Sequence, residues 1–112
     1  MLTFCGWKIR VENERIIFKK GARGFILPLP KPFDSYTIER KSRKIRLRDF
    51  ESIFGEEKDQ RIFSAHMLTL KFKIGEKEYL VHLVKCGSRV YVIDGYSDWD
   101  GDVYGFHIEG LE

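Results

Sequence analysis

Apolar and polar residues alternate along most of this chain, and that period of two predicts strands rather than helices. In residues 7–11 (WKIRV), Trp7, Ile9 and Val11 fall on one face and Lys8 and Arg10 on the other. Residues 12–14 (ENE) predict a turn, and 15–20 (RIIFKK) return as the second strand of a hairpin. Residues 21–24 (GARG) predict a tight turn, because both glycines tolerate positive φ. Residues 25–30 (FILPLP) are extended and apolar. Pro28 and Pro30 lack amide donors, which places this segment at a sheet edge or between sheets.

Residues 36–40 (YTIER) and 45–50 (IRLRDF) predict a further antiparallel pair turning at 41–44 (KSRK). Asp49 is placed to cap one short helix over 49–54 (DFESIF), ended by Gly55, with a charged loop after it. In 67–74 (MLTLKFKI), Leu68, Leu70, Phe72 and Ile74 point inward and Thr69, Lys71 and Lys73 outward. Residues 79–86 (YLVHLVKC) are apolar on both faces, which predicts a central strand. Residues 90–96 and 103–110 predict two more strands, the latter with Tyr104, Phe106 and Ile108 on one face. Too little chain lies between strands for crossover helices, so a parallel sheet is not expected. The expected fold is all-β: one domain over 1–112, a small antiparallel β-barrel or two-sheet sandwich of about eight strands with one short helix.

Composition adds limits. A length of 112 residues, 43% hydrophobic and 33% charged, fits one folded core rather than a disordered chain. No apolar run reaches the ~20 residues of a membrane-spanning helix, and residues 1–14 lack the pattern of a signal peptide. A cytoplasmic protein with no membrane partner is expected. Cys5 and Cys86 then read as free, buried thiols, although a single bridge between them would suit a secreted or hyperthermophile protein. One Asn, one Gln and many Lys, Arg and Glu lean toward a thermostable protein.

Charge is uneven. Residues 1–50 hold 13 Lys and Arg against 5 Asp and Glu, and residues 51–112 hold 7 against 12. Strands of the two halves are expected to pair, which would mix these charges in space. The densest cluster is Arg40, Lys41, Arg43, Lys44, Arg46 and Arg48. On a strand, Lys44, Arg46 and Arg48 share one face at intervals of about 7 Å, an interval comparable to that between successive phosphates. Guanidinium forks also suit phosphate oxygens. Lys8, Arg10, Lys71 and Lys73 extend this surface if the topology brings them together, and Tyr36 or Phe33 can stack on bases. The competing role is a solvated edge that cations keep from aggregating.

A second cluster is acidic and aromatic: Asp94, Asp98, Asp100 and Asp102 with Tyr96, Trp99 and Tyr104. An EF-hand is excluded, because Val103 stands where that loop needs its glycine and no exiting helix follows. A looser cation site, a solvated turn and a protein-interaction loop centred on Tyr96, Trp99 and Tyr104 remain the readings.

Catalysis finds little support. No nucleophile elbow, P-loop or zinc-protease motif occurs. Asp34, Glu39 and Lys41 follow a metal-nuclease residue order, but without the α/β core such a centre uses. His82 sits in an apolar strand as a core histidine would. The expected function is a non-catalytic binding module, with no cofactor and no metal, contacting the phosphate backbone of nucleic acid through a basic hairpin. The alternative is a protein-interaction or inhibitor module of viral or accessory type, using that hairpin or the Trp99 loop. An edge strand such as 25–30 can also build a homodimer.

Overall fold

The computed structural model describes residues 2–46, 62–86, 89–97 and 103–111, with side chains within 2–40, 66–85, 90–97 and at 111. These residues form two antiparallel sheets, and every connection between hydrogen-bonded neighbours joins consecutive strands. The first sheet contains β1 (Leu2–Phe4), β2 (Trp7–Val11), β3 (Arg15–Lys20) and β4 (Arg23–Pro28), in that order. The second contains β5 (Ser35–Arg46), β6 (Ile62–Ile74), β7 (Lys77–Cys86), β8 (Arg89–Ser97) and β9 (Val103–Leu111), also in order. A two-sheet sandwich fits this arrangement, and no closed barrel is present among the described residues.

The alternation expected from sequence fixes the faces. Trp7, Ile9, Ile16, Phe18, Leu27 and Leu29 are buried from the first sheet, and they pack with Leu68, Leu70, Phe72, Ile74, Val81 and Leu83 from the second. Burying each such side chain contributes roughly 1.5–3 kcal/mol. The central position of β7 also matches its sequence. Val81 and Leu83 join the core between the sheets, while Leu80 and Val84 on the opposite face are 2% and 1% exposed. The segment holding Pro28 lies, as expected, on an edge strand, β4.

Two expectations are corrected, and one strand is added. Residues 41–44 do not turn: β5 continues through them and pairs with β6 from Ser35↔Lys73 to Arg46↔Ile62. The physical reason is twofold. The β6 partner begins five residues earlier than its clearest alternation suggests, so the ladder satisfies the whole of β5. Nor does KSRK offer the glycine or asparagine that a two-residue hairpin turn requires. Next, residues 2–4 form a strand of their own. Cys5 (φ 49°) and Gly6 (φ 85°) make the mirror-image turn into β2, with both central residues in the left-handed region. In GARG only Gly21 takes positive φ (60°), and Gly24 is an ordinary strand residue of β4. Strands of the two halves do pair, as expected, at one junction: β5 of the first half forms its whole ladder with β6 of the second. Residues 2–28 build the first sheet alone, so its six Lys and Arg against two Glu stay together.

The expected helix over 49–54 lies outside the described residues. Among those described, no helix is long and apolar enough to cross a membrane. The Cys5 thiol is free and half-buried, so it does not bridge to Cys86.

Candidate functional site

The basic cluster of the sequence belongs to β5, an edge strand of the second sheet. Lys41, Arg43, Lys44 and Arg46 stand opposite Met67, Ala65, Ser64 and Ile62 of β6. The surface is therefore a strand rather than a hairpin, and Lys41 and Arg43 occupy ladder positions instead of a turn. Arg48 lies outside the described residues. Cations on an edge strand also resist pairing with another chain.

Arg40 has a defined structural contact. Its guanidinium donates to the carbonyl oxygen of Thr3 on β1 at 2.8 Å. Both β1 and β5 are edge strands, so this bond ties the edge of one sheet to the edge of the other. Beside Arg40, Glu39 forms an ion pair with the ammonium of Lys71 at 3.7 Å.

Next to this junction lies a groove of about 630 Å³. Leu2, Val11, Tyr36 and Ile38 form its apolar side, and Lys8, Arg10 and Lys19 supply its charge. Lys8 and Lys19 face each other directly across the β2–β3 ladder. Like charges in that position repel, and no carboxylate of the described residues pairs with either. Arg10 is partly balanced: Glu12 forms an ion pair with Arg10 Nε at 3.4 Å and accepts a hydrogen bond from Arg15 Nε at 2.6 Å. The Arg15 hydrogen bond holds the Glu12 carboxyl below its ordinary range. Lys19 is a member of this set that residue spacing alone does not single out. Its signal is the hairpin register, which puts it opposite Lys8 once 12–15 is taken as the turn. Lys71 and Lys73 belong to β6 and do not line the groove.

Tyr36 and Phe33 differ in availability. Tyr36 is 41% exposed, and Phe33 is half-buried. The Tyr36 ring stacks on Phe72 at 5.5 Å between centroids and 28° between planes. Phe33 meets it edge-on at 5.5 Å and 84°. Phe72 is fully buried and stands opposite Tyr36 in the β5–β6 register, so the exposed ring rests on the core.

The acidic cluster divides. Asp94 is not on a solvated turn but in β8, 5% exposed, where it accepts the Tyr79 hydroxyl. Burial, and then the Asp94 contact, raises the Tyr79 hydroxyl well above the ordinary tyrosine range. Tyr96 is half-buried, edge-on to Tyr79 at 5.1 Å, with Lys77 Nζ 5.3 Å from its ring centre. Tyr104 pairs with Tyr96 in the β8–β9 ladder. Trp99, Asp98, Asp100 and Asp102 lie outside the described residues.

Of the metal-nuclease residue order, Asp34 and Glu39 have separate structural partners, and the Lys41 side chain lies outside the described ones. Asp34 Oδ2 accepts the amide of Gly75 at 3.0 Å, which fastens the β6–β7 turn, and Glu39 faces Thr69 and Lys71. His82 shares a 2.8 Å hydrogen bond through Nδ1 with the Thr69 hydroxyl, as a satisfied structural histidine does. Among the described residues, no three His, Cys, Asp or Glu side chains are grouped to hold a metal ion. No family model, no curated protein and no solved structure matches the chain.

Proposed function

We propose that this protein is a non-catalytic module that binds nucleic acid through its phosphate backbone, in the cytoplasm. The observation that carries this reading is the Lys8–Lys19 pair. Two ammonium groups opposed across a ladder repel each other, an anion between them would relieve that repulsion, and no acidic side chain of the described residues supplies it. Arg10 stands on the same strand two residues from Lys8, about 7 Å away, and Lys20 and Arg23 close the adjoining hairpin. Arg40, the first cation of the β5 cluster, is bonded to Thr3, next to Leu2 of the groove. Lysine ammonium groups and backbone-directed charge give affinity with little sequence preference.

The test is fluorescence anisotropy of labelled DNA and RNA at two salt concentrations, with wild type and a Lys8→Glu/Lys19→Glu variant of checked fold. Neutralising about three phosphates gives a log–log salt slope of roughly −2. The double variant should lower the affinity by at least tenfold and flatten that slope. Absence of binding at low salt, or binding indifferent to salt and to both lysines, sinks the reading and favours a protein partner instead.

A further inference from the structure

We infer that the groove beside Lys8 and Lys19 takes unpaired bases, with Tyr36 as their stacking platform, so that the ligand is single-stranded rather than duplex nucleic acid. This inference rests on the phosphate-binding reading above and adds to it a site for the base.

A stacking platform needs a ring that is exposed on one face, fixed in orientation and close to backbone cations. Tyr36 meets each requirement. It is 41% exposed and lines the groove. Its other side is stacked on Phe72, its edge is held by Phe33, and Phe33 in turn packs on Phe72 at 5.0 Å. A ring held this way loses little freedom when a base settles on it. Ile38, 44% exposed and two residues along β5, extends the apolar floor next to it. A base settling on Tyr36 would also remove part of the Ile38 side chain from water.

The charges lie where the backbone of such a strand would run. Lys8, Arg10 and Lys19, on β2 and β3, line the same groove as Tyr36 and Ile38 on β5. A single strand can place a base on Tyr36 and its phosphates against these cations together. In a duplex each base face is covered by the next pair, so the Tyr36 ring has nothing to stack on and only the phosphate contacts remain.

The experiment uses the full chain with labelled oligothymidine and a mixed-sequence duplex, at low and moderate salt. Wild type should prefer the single strand. Tyr36→Leu should weaken single-strand binding by about fivefold or more and leave duplex binding unchanged, and Tyr36→Phe should retain the preference. Because Tyr36→Leu can disturb the Phe33–Phe72 packing, Tyr36→Trp gives a second readout: against the wild-type baseline set by Trp7 and Trp99, the variant should show additional quenching of indole emission by oligothymidine but not by duplex. Equal affinity for strand and duplex, or a single-strand preference that survives Tyr36→Leu with no quenching in Tyr36→Trp, overturns the inference while the phosphate-binding reading stands. Loss of all salt-sensitive binding overturns both.

Discussion

The Arg40 guanidinium reaches from β5 to the Thr3 carbonyl oxygen on β1, and this 2.8 Å bond joins two strands that share no ladder. A cation in the most basic stretch of the chain is thus part of the structure. Hydrogen bonds from charged donors are stronger than neutral ones, but solvent competes at an exposed site. Arg40→Ala should cost about 0.5–1.5 kcal/mol, seen as a lower urea midpoint with an unchanged slope. Faster amide exchange in β1 should accompany it. For the same reason, charge reversal at Arg40 would confuse folding with binding, whereas Lys8 and Lys19 have no ion-pair partner among the described residues to lose.

The turn between β1 and β2 is sensitive to side-chain size. Gly6 sits at φ 85°, and a Cβ there would meet the Lys20 side chain at 3.3 Å. Gly75 sits at φ 63° with nothing near its missing Cβ. Either glycine replaced by alanine incurs the left-handed cost of roughly 1–2 kcal/mol. Gly6→Ala also displaces Lys20, whose flexible end can give way. Thermal melts should therefore place Gly6→Ala slightly below Gly75→Ala, with both below wild type by several degrees.

The elements most legible in the sequence were those whose burial writes itself as alternation. Residues 7–11 and 68–74 show one apolar face, and residues 79–84 show two, which is why β2, β6 and the central place of β7 follow from pattern alone. The continuity of β5 was hidden, because an edge strand rich in Lys and Arg carries no apolar period. The β1–β2 turn was hidden for a different reason: Cys5 is not a residue type that favours positive φ. The candidate site was legible only in part. Lys8, Arg10 and Tyr36 stood out as exposed cations and an aromatic, but their convergence depends on topology, which sequence spacing does not contain. Nor does composition reveal that residues 2–28 share no ladder with the acidic half of the chain.

The buried Tyr79–Asp94 pair sets an alkaline limit on stability. The Tyr79 hydroxyl is raised above its ordinary value by burial and by donation to Asp94. A group whose folded pKa lies above its unfolded one contributes stability that is complete below the unfolded value. That contribution is lost as pH climbs toward the folded value. Stability should thus fall progressively above about pH 10, and Tyr79→Phe should remove this part of the pH dependence. At neutral pH the same variant leaves the Asp94 carboxylate without this donor, a loss of about 1–3 kcal/mol. Denaturant titrations of both proteins across the alkaline range would measure each effect.

Glu12 offers a test of gain rather than loss. Its carboxylate draws on both Arg10 and Arg15, and the Arg15 hydrogen bond keeps it ionised to lower pH than an ordinary glutamate. Among the described residues it is the carboxylate that pairs with Arg10, and so reduces the field of a cation that lines the groove beside Lys8. If the groove binds phosphates, Glu12→Gln should strengthen binding and steepen its salt dependence, by no more than about one counterion. The pH dependence gives a second check. Because the Glu12 pKa is lowered, the wild-type protein should gain affinity only at acid pH, below the ordinary glutamate range, as this carboxylate becomes protonated. The Glu12→Gln variant should lack that gain. A variant that binds no better than wild type at neutral pH would show that Arg10 takes no part in the site, leaving Lys8 and Lys19 to carry it alone.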